Sequence, residues 1–251
     1  MNDVIQTILR HRSIRRFKNE PLTKEETDQI IRAAQAASTS SFLQAYSIIG
    51  VTDKAKKEEL AELAGSQDYV AENGFFTVFC ADFSRHHTAA SLHGQDIREA
   101  VESTEGFMVS VIDAALAAQN AAIAAESMGL GICYIGGLRN NLESVSSVLE
   151  TPSHVLPLFG MAIGRPAQQH EQKPRLPQET VYHENTYNLN SDELKQQLQN
   201  YDETILQYYR SRSSGNKEIT WSSQAASTLA HSKRLYLNAF TQEKGFLKGR
   251  P

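Results

Sequence analysis

The sequence predicts an α+β fold. Three near-continuous apolar runs, Tyr46–Val51, 74–81 and Val155–Gly164, have the length and the aromatic or β-branched content of buried strands. The stretches between them show helical spacing. The longest, 107–128, carries Val109, Ile112, Ala115, Leu116, Ile123 and Met128 on its apolar sides, so it must be covered nearly all round. With a short strand at 132–135, the pattern is four to five strands with long helices packed on them.

The elements follow in order. Val4, Ile5, Ile8 and Leu9 give a first amphipathic helix over 3–11. Thr23 and Glu26 have capping-box spacing, in which each side chain satisfies a backbone N–H at a helix start, and Leu22 is placed to staple onto that helix. Asp28, Ile30, Ile31, Ala33, Ala34 and Ala37 continue it until the hydroxyls of 38–41 compete for backbone bonds. The strand Tyr46–Val51 is followed by a polar-faced helix, Lys54–Leu63, and a polar loop at 65–69. Segment 82–106 is hydrophilic and gives no element. Gly129 and Gly131 end the long helix, and Pro152 follows a short helix over 142–149. Pro157 lacks an N–H for the sheet ladder, which places it at a strand start or a bulge. Beyond residue 180 the chain turns polar, with helical periods at Leu194-Leu198 and Ile205-Leu206-Tyr209. Trp221 opens a last helix carrying Ala225, Ala226, Leu229 and Leu235. This tail is too small and polar for a domain of its own. The expectation is one domain over 1–251, with residues from about 180 wrapping the body or a partner.

Composition narrows the function. The 251 residues carry a net charge of -4 and are 40% hydrophobic, which builds a core but no nucleic-acid surface. Cys80 and Cys133 stand apart in apolar surroundings and read as buried thiols. No N-terminal run resembles a signal peptide. Asp113, Gln119, Asn120 and Glu126 interrupt the long helix, which makes it a core or interface helix and not a membrane span. A soluble cytoplasmic protein is expected.

Chemistry-bearing residues are few. His11-Arg12-Ser13-Ile14-Arg15-Arg16-Phe17 gathers guanidinium forks, an imidazole and a hydroxyl, all donors suited to a phosphate dianion. A solvated basic turn has the same composition. Lys173-Pro174-Arg175-Leu176-Pro177 is a second candidate clamp, stiffened by its prolines. Gly136-Gly137 permits close backbone approach by a flat ligand, or a plain turn. Arg85, His86, His87, His93 and Asp96 lack metal-ligand spacing, so no metal site is expected. The P-loop, the dinucleotide-binding glycine pattern and the serine-hydrolase elbow are missing. A chain that offers binding groups but little acid–base chemistry points to a cofactor as the reactive group.

Four ordered segments then carry a resemblance. These are 11–17, the run Ala37-Ser38-Thr39-Ser40-Ser41-Phe42-Leu43-Gln44-Ala45-Tyr46-Ser47, Tyr134-Ile135-Gly136-Gly137-Leu138-Arg139-Asn140, and Lys173-Pro174-Arg175-Leu176-Pro177. Together they resemble the nitroreductase-like flavoproteins, in particular the branch of NADPH-preferring flavin reductases and oxygen-insensitive nitroreductases.

The resemblance implies a central, mainly antiparallel sheet flanked by helices in an intertwined homodimer. It implies FMN held tightly and non-covalently at each of two interface sites. By match to the family, His11, Arg12, Ser13 and Arg15 approach FMN, and Arg15 is the candidate for stabilising its reduced form. Lys173 and Arg175 complete the phosphate and ribityl contacts. Thr39 stands where the family often has serine. Gln67 and Tyr69 match polar positions near the ring edge, and Tyr134, Ile135, Gly136 and Gly137 lie along the ring. No side chain is expected to act as nucleophile or acid–base catalyst. The implied mechanism is ping-pong: NADPH or NADH delivers hydride to the flavin, then free FMN, a nitroaromatic or a quinone takes the electrons. Arg210, Arg212 and Lys217 are candidates for the NADPH 2'-phosphate, though an ordinary soluble loop has the same composition. The alternatives are a broad-specificity nitroreductase or quinone reductase, and a flavin-binding protein without turnover.

Overall fold

The computed structural model describes residues 2–168, 171–212 and 218–248, with Arg212 described by its backbone alone. The chain divides into two compact units, one formed by Met1–His170 with Arg234–Pro251 and the other by Glu171–Lys233.

The first unit begins with α1 (Asp3–Leu9) and α2 (Lys24–Gln35). The expected helix over 3–11 ends two residues early, because the chain turns out at Arg10 to enter the extended basic segment. The capping box is complete: Thr23 accepts from the Glu26 N–H, and Glu26 accepts from the Thr23 N–H at 2.8 Å. Leu22, ahead of the cap, is packed on the core. It turns to Gly74, where a Cβ would lie 2.3 Å from its Cδ1.

Then come β1 (Tyr46–Val51), α3 (Lys54–Leu63), α4 (Asp68–Ala71) and β2 (Phe75–Asp82). The expected loop at 65–69 therefore runs into a helical turn. Two helices, α5 (Ser84–Leu92) and α6 (Arg98–Glu102), occupy the segment read as featureless. Next are α7 (Thr104–Ser127), β3 (Gly131–Ile135), α8 (Leu142–Val148) and β4 (Val155–Gly164). The long helix starts three residues earlier than its apolar pattern, because Ser103 caps the Gly106 N–H ahead of the first apolar turn.

The four strands form one antiparallel sheet in the order β1-β2-β4-β3. Every residue of β2 is buried. In the β2–β4 ladder Phe79 faces Phe159 and Cys80 faces Pro157, so Leu158 is the extra residue of a bulge. Pro157 thus sits within a central strand, at the one irregular step of its ladder.

The second unit holds α9 (Gln178–Val181), α10 (Ser191–Arg212) and α11 (Trp221–Ala230). Tyr201, Ile205 and Tyr208 are the buried stripe of α10, and the Tyr201 ring meets Trp221 edge-on. The last helix expected from Trp221 onward is two helices. α11 stops at Ala230, and α12 (Leu237–Glu243) belongs to the first unit.

α7 is the spine of the first unit and packs on α2 and on β1, β2 and β3. Its alanines at 114, 117, 118, 121, 122 and 125 are all buried, which keeps the helix close to its neighbours. By length and composition alone it could cross a membrane. Its fully buried Asp113 and its packing on the sheet are those of a core helix. Both cysteines are free and buried.

Candidate functional site

The basic segment is extended chain laid beside β3. Ser13 pairs with Ile132 in the parallel sense, the Ile14 N–H donates to the Ile132 carbonyl at 2.9 Å, and Phe17 pairs with Pro166. Ile14 is the buried anchor of this segment. It fits because Gly131 has no side chain; a Cβ there would lie 2.6 Å from Ile14 Cγ1. With Ile14 turned inward, Arg15 and Arg16 are exposed.

Arg15 and Arg16 line a cleft of about 400 Å³ with Gln67, Tyr69, Asp68 and Glu72. Tyr69 donates its hydroxyl hydrogen to Gln67 Oε1 at 2.6 Å, and Gln67 Nε2 donates to the Ala64 carbonyl at 2.8 Å. Gly137 closes on the same point: a Cβ there would meet the Ala64 carbonyl oxygen at 2.3 Å and Gln67 Nε2 at 2.7 Å. Burial pushes the Tyr69 phenol up, and the neighbouring Arg15 guanidinium opposes the shift. The Cys133 thiol is also pushed up by burial, again against Arg15. The structure therefore brings Arg15, Gln67, Tyr69 and Gly137 together, with the buried Cys133 near Arg15 and Tyr69. A larger cavity of about 1150 Å³, between α3, α4 and the segment leading into α2, shares Phe17, Ser66, Asp68 and Glu72 with the cleft and contains none of the expected cofactor residues.

Two further expected contacts are fixed from α7. The His11 imidazole Nδ1 donates to Glu126 Oε1 at 2.7 Å, since an ionised carboxylate can only accept. Tyr134 donates its hydroxyl to Gln119 Oε1 at 3.3 Å. Burial and, secondarily, the Glu126 charge push the Tyr134 phenol up. Asp113, fully buried, accepts from the backbone N–H groups of Ser40 and Ala45 at 3.0 and 2.9 Å. It thereby ties down the loop that follows Thr39, in which Ser41, Phe42 and Gln44 all have positive φ. Asn120 donates to the Ala33 carbonyl of α2 at 3.1 Å.

A ligand rich in acceptors fits this arrangement. Arg12 Nε and Thr39 Oγ1 are buried and have no hydrogen-bond partner among the described residues. A buried donor left unpaired costs about 1–3 kcal/mol, so two of them at expected cofactor positions are consistent with a partner that the protein does not supply.

Lys173, Arg175 and Arg210 lie in the second unit. Lys173 donates to the Tyr209 hydroxyl at 2.9 Å and lies over its ring, while Arg175 donates to the Lys173 carbonyl at 2.7 Å. Both cations are exposed. Tyr201 braces the turn by donating to the Pro174 carbonyl at 2.9 Å. Arg210 is ion-paired with Glu218 at 2.7 Å. Lys217 and the Arg212 side chain lie outside the described residues. Among the described residues, no group of three or more His, Cys, Asp or Glu is arranged to hold a metal ion. Sequence reasoning did not assign Asp113, Gln119 and Glu126 to the site. Their signal was present, as polar residues within an otherwise apolar helix.

A family model described as "Nitroreductase family" matches residues 8–165, and one described as "Nitroreductase family, C-terminal domain" matches residues 173–249. The chain is 59% identical over 248 residues to an FMN reductase (NADPH) of Bacillus subtilis, covering 99% of this chain and 100% of that protein. It is 44% identical over 247 residues to an NADPH-dependent oxidoreductase of Staphylococcus aureus, covering 98% of each. Among solved structures, the NfrA1 nitroreductase from B. subtilis superposes with a TM-score of 0.96 at 58% identity, over 98% of this chain and 100% of that one. The NADPH:FMN oxidoreductase from Vibrio harveyi complexed with NAD+ superposes at 0.87 with 43% identity, again over 98% and 100%.

Proposed function

This chain belongs to the nitroreductase family, and we propose the following reading of its site on that premise. The protein is an NAD(P)H-dependent FMN reductase. Relatives covering its full length carry that activity in their names, and one of them binds a nicotinamide dinucleotide. FMN held by the site residues would supply the redox chemistry, hydride acceptance from NAD(P)H and electron transfer to a second acceptor.

The protein's part is to bind, orient and bias. His11, Arg12, Ser13, Lys173 and Arg175 are the groups assigned to the phosphate and ribityl chain. Thr39 offers its unpaired hydroxyl. Gln67, Tyr69, Tyr134, Ile135, Gly136 and Gly137 seat the ring. Arg15 sets positive charge against the ring's polar edge, which favours electron uptake. The observation that carries this reading is the cleft lined by Arg15, Gln67 and Tyr69, with Gly137 packed against Gln67. Arg210, Arg212 and Lys217 offer charge to the 2'-phosphate of NADPH.

The working form is a homodimer. Met108, Ile112 and Leu116 recur every four residues on α7 and are 51%, 49% and 44% exposed, an apolar stripe suited to a second copy. Small acceptors include free FMN, nitroaromatics and quinones, and the location is cytoplasmic. Flavin released by heat from the purified protein tests the cofactor: one FMN per chain is expected, and FAD or no flavin would overturn the assignment. The ratio of kcat/KM for FMN to that for nitrofurazone separates a flavin reductase from a nitroreductase.

A further inference from the structure

Glu126 stands in the last turn of α7, where the helix's exposed carbonyls already concentrate negative charge. A carboxylate there is unfavourable unless something compensates it. His11 does so across 115 positions of sequence, with a 2.7 Å bond between groups whose side chains are 30% and 12% exposed. Among the described residues nothing bonds the other ring nitrogen, Nε2. Two turns earlier on the same face, Gln119 holds Tyr134. One face of α7 therefore grips two residues at expected flavin positions, on two different segments.

We propose that Glu126 is a positioning residue for the flavin, acting through His11. By accepting the Nδ1 hydrogen it fixes the tautomer and plane of the imidazole, so that Nε2 is the atom presented to the cofactor. The proposal rests on the reading that His11 contacts FMN. Glu126 itself touches no cofactor. The energetic logic is pre-organisation: a ring already held need not be ordered when FMN binds.

The test uses the full-length protein, as apoprotein titrated with FMN. Replacing the carboxylate by an apolar side chain of similar bulk, Glu126→Leu, should raise the Kd for FMN about tenfold, the scale of one charge-assisted hydrogen bond. Glu126→Gln keeps an acceptor and should restore most of the affinity. His11→Ala should weaken binding at least as much as Glu126→Leu. Nitrogen-15 NMR of the wild-type imidazole should show a hydrogen on Nδ1, a readout that stability alone does not move and that needs no variant to fold. If His11→Ala weakens FMN binding while Glu126→Leu does not, the positioning role is overturned and His11 stays in the site. A wild-type Nδ1 without hydrogen also overturns it. If His11→Ala leaves FMN binding unchanged, His11 leaves the site and the proposal fails with it.

Discussion

Gly137 and Ala64 are packed so closely that a methyl group on the glycine would stand 2.3 Å from the Ala64 carbonyl oxygen. The same carbonyl accepts from Gln67 Nε2. A substitution here therefore disturbs three segments at once: the turn after β3, the end of α3 and the loop into α4. Gly137→Ala should cost about 1–3 kcal/mol of stability by overpacking and weaken flavin retention through Gln67. Urea unfolding and flavin release on dilution measure the two effects. An unchanged midpoint would show that the turn relaxes freely.

Arg15 lies beside both Tyr69 and Cys133. Arg15→Ala should raise the FMN Kd by roughly ten- to a hundredfold, because a partly desolvated charged hydrogen bond outweighs an exposed ion pair. Fluorescence quenching on titrating apoprotein with FMN reads it directly. Full flavin occupancy at equal affinity would remove Arg15 from the site.

Asp113 holds two backbone N–H groups, one of them on the buried Ala45. Asp113→Ala leaves both unpaired and should destabilise the protein by about 2–4 kcal/mol. Asp113→Asn keeps one acceptor and should lose less. Chemical denaturation of both variants checks the order, and equal losses would show that the one bond kept by Asp113→Asn contributes nothing.

Glu26 gives an acid-pH signature. Its carboxyl is held below its ordinary value of 4.5, first by the backbone N–H of Thr23 and then by the Thr23 side chain and Arg165. A depressed carboxyl stabilises the fold above its unfolded-state value, and that contribution is lost as pH falls through the lower folded-state value. Glu26→Gln retains the cap's shape but not its charge. The stability gap between wild type and Glu26→Gln should hold at neutral pH, on the order of 1 kcal/mol or less, and close as pH drops below 4.5. A gap independent of pH would assign it to shape alone.

Much of this arrangement is legible in local sequence. β1, α3 and β4 fall where their apolar and polar periods place them, because those periods reflect which face each element buries. Pro157 announces the bulge, and Thr23 with Glu26 announces the cap. The losses are also physical. α4 is a single turn, too short for a period, and α7 begins with a polar capped turn that hides its start. The close approach of Gly137 to the Ala64 carbonyl and Gln67 has no signal in the local sequence. Glu126 and Asp113 read only as interruptions of an apolar helix. Their partners lie 115 and 73 positions away, and only the folded chain brings them within bonding distance.

The central claim is that this chain binds a flavin that NADPH reduces. The most direct test is the visible spectrum of the purified protein, taken without oxygen before and after adding NADPH. The account predicts flavin bands that bleach on addition and return when free FMN or nitrofurazone is supplied. A colourless protein that cannot be loaded with FMN, or flavin bands untouched by NADPH and NADH alike, would contradict it.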